Sequence, residues 1–188
     1  MVSRHVWRRE THTVERDGMN EAVKSLSREK LEALVEAYAK NAIALDGVWF
    51  QAVEQDAGME VAMGYDIEAW DRFGLTEARR IKKLLGLGER PGLEGLAAAL
   101  PLRFQSLANE SSVRWEGDAV IYRIEVCRVQ KARHDKGLGY HPCKSVGILE
   151  HPSFARGIDD RLSSTCLSCF PDITDDTCSC SWRFALSE

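Results

Sequence analysis

The chain has 188 residues, of which 44% are apolar and 29% charged, a composition typical of a soluble globular protein. Its formal net charge of -4 argues against broad binding to nucleic acids or anionic membranes, so we expect neither as a partner. No apolar run reaches the roughly 20 residues that a membrane-spanning helix needs. Residues 1–18 lack the apolar segment of a secretory signal, which predicts a cytoplasmic protein.

We interpret residues 1–18 as a disordered tail or a mis-assigned start, and residues 19–188 as one α+β domain. Its first half, 27–100, is predicted to be helical. A long helix over 27–56 begins at Ser27 and carries apolar residues at steps of three and four. These positions are Leu31, Leu34, Val35, Tyr38, Ala42, Leu45, Trp49 and Val53. This face is expected to be buried, or to pair with a second copy in a homodimer.

Three further helices follow in the predicted helical half. A short one is expected around 58–64. Another begins at Asp66 as its cap and ends in "LGLGERPG", where glycines precede a proline. "GLEGLAAAL" then forms a short helix before Pro101.

The second half, 111–186, is predicted to be rich in strands. "SSVRWEGDAVIYRIEVCRV" alternates apolar and polar residues around a turn and indicates a β-hairpin. "QKARHDKG" predicts a helical turn, and a helix starts at Pro142 that Pro152 is expected to kink or break. "RLSSTCLS" and "TCSCSWRFAL" complete an antiparallel sheet. The fold class is therefore α+β, with a helical N-terminal half against a C-terminal sheet.

The segment "CLSCFPDITDDTCSC" holds four of the six cysteines, in a Cys-x-x-Cys pair and a Cys-x-Cys pair. Zinc takes four such thiolates in a tetrahedron, and Cys143 could replace one of them. Alternatively, the thiols are inert and buried, or one of them is catalytic or redox-active. The position of Cys143 at a helix start predicts a lowered thiol pKa.

Other polar residues are candidates for a ligand site. Asn41 and Asp46 interrupt apolar helix faces, where a buried polar group needs a partner, and Arg123 could bind an acidic ligand group. Cys127 and Glu150 are candidate catalytic groups, a nucleophile and a base. The alternatives for these residues are satisfied hydrogen bonds and exposure to water.

The segments "CRVQKARHDKGLGYHPCKSVGILEHPSFARGIDDRL" and "CSWRF" resemble an uncharacterised prokaryotic family of cytosolic proteins of unknown function. The resemblance covers about residues 31–186. More distantly, the chain is similar to the L-2-amino-thiazoline-4-carboxylic acid hydrolase family and to 4-vinyl reductase type domains. The family pattern matches Cys127, Glu150 and four further cysteines but not Cys178. The resemblance thus implies a zinc or iron site made of Cys143, Cys166, Cys169 and Cys180.

Two functions remain open from the sequence. The first is a small-molecule-binding protein with a cysteine-rich zinc site, whose pocket lies between the helical half and the sheet. The second is a hydrolase that opens a small heterocycle or C–N bond by a cysteine or a metal-bound water.

Overall fold

A computed structural model describes residues 20–187, so the tail predicted for residues 1–18 lies outside the described residues. The chain divides into two units, residues 1–34 and 35–188. In the first unit, Asn20 caps α1 (Glu21–Lys24) through the backbone N–H of Ala22. Ser27 immediately precedes α2 (Arg28–Ala57), and its hydroxyl accepts a hydrogen bond from the backbone N–H of Lys30. This confirms the predicted start of that helix.

The second unit continues α2 and contains the remaining elements. Its helices are α3 (Met59–Leu84), α4 (Gly92–Ala99), a 3-10 turn (Leu100–Leu102), α5 (Phe104–Ala108), α6 (Arg128–Asp135) and α7 (Lys144–Ile158). Its strands are β1 (Glu110–Glu116), β2 (Ala119–Val126), β3 (Leu162–Cys169) and β4 (Cys180–Leu186). The strand order is β1-β2-β4-β3 with every neighbouring pair antiparallel, which confirms the α+β class and the predicted hairpin.

The main core lies where α4 and α7 pack against the sheet and α3 packs against α7. The apolar residues that β2 and β4 bury there include Tyr122 and Phe184, which are fully inaccessible. Helices α3 and α7 approach very closely: a Cβ built on Gly74 would meet the carbonyl oxygen of Glu150 at 2.9 Å. Close helix contact of this kind fixes the position of the start of α7 relative to α3.

The helix break predicted before Asp66 is wrong, and so is a break at Pro152, whereas the alternative of a kink at Pro152 stays a prediction. The chain forms one continuous helix, α3, where we expected a break before Asp66. Gly64 costs this helix only about 1 kcal/mol, and burial of Met63 and Ala78 on either side of it offsets that cost. Pro152 also lies inside α7 without ending it. The carbonyl that loses its partner belongs to the exposed Ile148, where water can satisfy it.

The predicted buried face of α2 is also wrong. Val35, Tyr38, Leu45 and Trp49 are between 53% and 70% exposed. The residues that α2 buries are Ala39, Ile43 and Phe50, on an adjacent face. Periodicity identified the helix but not its buried side, and pairing of the exposed face in a homodimer stays a prediction.

Within residues 20–187 no helix is long and apolar enough to cross a membrane.

Candidate functional site

A cavity of about 480 Å³ opens among α2, α3, α6, α7 and the ends of β2, β3 and β4. This volume lies in the range that holds a small organic molecule. Most of its interior surface is apolar: Ile43, Phe50, Trp70, Ile124, Val129, Val146 and Trp182. The polar groups among the lining residues therefore decide what the cavity can recognise.

Four thiols line the cavity: Cys127, Cys143, Cys169 and Cys180. All six cysteines are free. Cys169 and Cys180 face each other across β3 and β4, while Cys166 and Cys178 are outside the lining. The cysteines therefore gather at the cavity in a different combination from the one that their spacing in the sequence indicated.

A chain of polar contacts runs from Cys143 into α3. The sulfur of Cys143 lies 3.2 Å from Nδ1 of His141, and Nε2 of the same ring lies 3.2 Å from Oδ2 of Asp66. The side chains of His141 and Asp66 are each only 8% exposed, and all three residues line the cavity. When Nε2–H donates a hydrogen bond to the carboxylate of Asp66, Nδ1 presents its lone pair to the thiol.

Gln130 holds this arrangement in place. Its amide oxygen accepts the backbone N–H of His141 at 2.9 Å, and its amide nitrogen donates to the carbonyl of His141 at 2.9 Å. The same nitrogen lies 3.0 Å from the sulfur of Cys143. The ring of Phe50 contacts the imidazole edge-on at 4.6 Å between centroids. The imidazole is thus fixed both through its backbone and through its ring.

Asp46 is a second carboxyl group at this end of the cavity. Burial and the charge of Asp66 raise its pKa to about 6, while His141 and a hydrogen bond from Trp70 act in the opposite direction. The predicted ligand-binding residue Asp46 therefore does line the cavity, and it exchanges a proton near neutral pH.

Glu150 lies at the inner end of the cavity in a buried charge network. Its carboxylate bonds to the guanidinium of Arg103 and lies 3.3 Å from Nδ1 of His151. Arg103 also bonds to Glu77 at 3.0 Å and stacks on the ring of Phe154 at 4.0 Å. Burial and Arg103 hold the pKa of His151 well below its usual value. The predicted base Glu150 therefore has its charge balanced by Arg103.

Three of the thiols that line the cavity, those of Cys127, Cys143 and Cys180, have raised pKa values that favour the protonated form. Burial raises the pKa of Cys127, and it raises the pKa of Cys143 well above the usual value. The neighbouring Cys169 and burial do the same for the pKa of Cys180. The lowered pKa expected for Cys143 at its helix start is wrong, because loss of solvent outweighs the helix dipole, which is worth about 1 kcal/mol or less.

Two predicted ligand-binding residues lie away from the cavity. Arg123 is bonded to Asp175 at 2.5 Å and to Thr177 at 2.9 Å, beside the loop before β4. Asn41 is exposed on α2 and is not part of the lining. The structure therefore leaves Asp46 as the member of the predicted ligand-binding set that reaches the cavity.

Among the described residues, the structure does not group the predicted zinc ligands Cys143, Cys166, Cys169 and Cys180 into a metal site. In the part of the chain that the structure describes, no three His, Cys, Asp or Glu side chains are grouped to hold a metal ion. The sulfur of Cys143 faces Gln130 and His141, whereas Cys166 and Cys169 belong to β3.

Sequence reasoning missed several residues of the site. Asp66 was expected to cap a helix, and Arg103, Gln130 and Trp182 carried no signal that set them apart. The His-x-Cys pair at 141 and 143 was visible, but its carboxylate partner lies 75 positions earlier in the chain. Only folding brings these groups together.

Comparison with known proteins gives a family but no function. No curated protein and no solved structure matches the chain. A family model matches residues 24–186, most of the chain, in agreement with the predicted membership of an uncharacterised family. The likeness to the thiazoline-carboxylate hydrolases and to 4-vinyl reductase domains stays a prediction. The chain belongs to DUF6125, a family of unknown function.

Proposed function

We propose that this protein binds a small, largely apolar organic molecule in the cavity between α2, α3, α6, α7 and the sheet. The observation that carries the proposal is the cavity itself, about 480 Å³, whose interior surface is mainly apolar and whose polar lining residues include Asp46, Asp66 and His141. Ligand sites of soluble proteins combine these two properties. An apolar ligand would release water from this surface, at about 25 cal/mol for each Å² covered.

The polar end of such a ligand would meet Asp46, Asp66 and His141. A second contact is offered by Trp182, which is 1% exposed and lines the cavity. Its indole nitrogen has no hydrogen-bond partner among the described residues. Because an unpaired buried N–H costs about 1–3 kcal/mol, an acceptor on the ligand would be favoured there.

Binding can be measured with the neutral dye N-phenyl-1-naphthylamine, whose fluorescence increases in apolar surroundings. Ala44 lines the cavity near the exposed side of α2, so Ala44→Trp should fill part of it and lower the affinity for the dye at least tenfold. Ala37→Trp is the matched control, because Ala37 lies two turns earlier on the same helix, is exposed and is not part of the lining.

The proposal fails if the dye does not bind to the unmodified protein. It also fails if Ala44→Trp and Ala37→Trp reduce binding equally, since the dye would then be on the exposed apolar face of α2.

A further inference from the structure

We propose that Cys143 is a nucleophile for acyl transfer, with His141 as its base and Asp66 as the residue that orients His141. The substrate class is a small apolar ester or thioester. This inference rests on the proposed binding function, because the substrate would occupy the same cavity. It assigns chemistry to one of the four thiols that line the cavity, and it requires no metal ion.

Geometry separates Cys143 from the other thiols. An imidazole nitrogen lies 3.2 Å from its sulfur, and the second nitrogen of that ring lies 3.2 Å from a carboxylate. This order of nucleophile, base and orienting acid is what activates a weak nucleophile. By contrast, the sulfur of Cys127 has no imidazole among its described hydrogen bonds, and Cys169 and Cys180 face each other.

The reaction balances with these groups alone. The Cys143 sulfur attacks the acyl carbon and forms a C–S bond, while its proton moves to Nδ1 of His141. The C–O or C–S bond to the leaving group breaks, and the same proton passes from Nδ1 to that group. Water then attacks the acyl carbon and gives one proton to Nδ1; the C–S bond breaks, that proton returns from Nδ1 to the sulfur, and the carboxylic acid and the free thiol are released.

The protonated resting state of Cys143 fits this sequence. Because burial raises the pKa of the thiol, the proton must leave as the sulfur attacks, and an acceptor already in contact lowers that barrier. Asp66 acts through His141 and is a positioning residue. Gln130 donates to the sulfur at 3.0 Å and to the carbonyl of His141 at 2.9 Å, so it is a second positioning residue that holds the thiol beside its base.

The full-length protein can be tested with 4-nitrophenyl butyrate. We expect a burst of one equivalent of 4-nitrophenolate and a butyryl group on Cys143 in peptide mass spectra. Cys143→Ala should abolish both signals. The matched control is Cys166→Ser, which removes a half-buried thiol outside the cavity lining and should leave the burst unchanged.

The two partners have separate tests. His141→Gln should slow the acylation about 100-fold or more, the usual contribution of a general base. Asp66→Asn should slow acylation at least about tenfold, a larger factor than any loss of affinity for the dye, and Asp66→Glu should restore part of the rate. A purely structural role for Asp66 would weaken acylation and dye binding together.

Butyryl groups on another cysteine, or an unchanged rate in Cys143→Ala or His141→Gln, would overturn the nucleophile proposal. Cys143→Ser, which keeps the size of the side chain, guards against misfolding of the alanine variant, and each variant is first shown to bind N-phenyl-1-naphthylamine. If the dye binds and Cys143 is not acylated, only the nucleophile proposal fails. If the dye does not bind, the proposed function fails as well.

Discussion

The guanidinium of Arg103 lies 3.0 Å from the carboxylate of Glu77, and the two side chains are 0% and 8% exposed. Glu77 also accepts the backbone N–H of Phe104 at 2.9 Å. One arginine thus ties α3 and α7 together with the start of α5, because it also bonds to Glu150. A charge so deeply buried is stable only while its partners remain.

Replacing Arg103 by methionine should therefore be strongly destabilising. Two buried carboxylates would lose their counter-charge, and we expect a loss of about 3–5 kcal/mol in the free energy of unfolding, measured in urea. The control is Arg90→Met, which removes the exposed ion pair with Asp160 and should cost about 1 kcal/mol or less. Similar losses in the two variants would contradict the buried network.

Because the pKa of Asp46 is raised, we expect the free energy of unfolding to fall as pH rises. Its pKa is raised from 3.8 to about 6 in the folded protein, so the folded state binds its proton more tightly than the unfolded state. Stability is lost between about pH 4 and pH 6, because burial and the charge of Asp66 oppose ionisation more strongly than His141 and Trp70 favour it. Asp46→Asn should be more stable than the original protein at pH 8, by on the order of 2 kcal/mol.

The measurement is urea unfolding of both proteins from pH 4 to pH 8. The difference between them should close near pH 4, where Asp46 is protonated in the folded state. A difference that stays constant over this range would show that Asp46 titrates as an ordinary exposed carboxyl.

Asp159 has a lowered pKa, so its contribution to the free energy of unfolding should be lost as pH falls. Its carboxylate accepts from Arg161 at 2.7 Å and from the backbone N–H of Gly92 at 2.9 Å, and these bonds hold its pKa well below the usual range. Its stabilisation is present above about pH 4 and is lost as pH falls below that value. Asp159→Asn should cost about 1–3 kcal/mol at pH 7 and progressively less in acid. Thermal unfolding at pH 7 and pH 3 checks both values.

Gly147 leaves no room for a side chain. A Cβ at this position would lie 2.4 Å from Cζ2 of Trp182, a fully buried ring. Gly147→Ala should destabilise the protein by about 1–3 kcal/mol. Gly64→Ala is the matched control, because nothing lies within 4 Å of its added Cβ inside α3, and it should stabilise by about 0.5–1 kcal/mol. Equal effects in calorimetry would contradict the close contact.

Much of the fold could be predicted from local signals. Ser27 at the start of α2, the glycines after α3 and the alternation in β1 and β2 act over a few residues, and the structure bears them out. The face that α2 buries could not be predicted in this way. Large apolar residues such as Tyr38 and Trp49 are exposed, while the smaller Ala39 is buried, because neighbouring elements decide which face is covered.

The candidate site likewise combines residues that the sequence predicted with residues that only the folded structure brings together. The sequence drew attention to Cys143 and Asp46, and both line the cavity. The spacing of Cys166 and Cys169 pointed to a metal site, but spacing describes only residues that are close along the chain. Asp66 could not be paired with His141 in advance, since that contact depends on how α3 is placed beside the start of α7.

The close contact between the main chains of α3 and α7 at Gly74 affects the residues that align the proposed nucleophile. Asp66 lies eight residues before Gly74 on one helix, and Cys143 lies seven residues before Glu150 on the other. The distance between the two main chains at Gly74, about two helical turns away, therefore controls the distance between the Asp66 carboxylate and the His141 imidazole. A methyl group added at Gly74 would push the two helices apart and lengthen the contact between Asp66 and His141, while His141 and Cys143, two residues apart in the chain, would stay together.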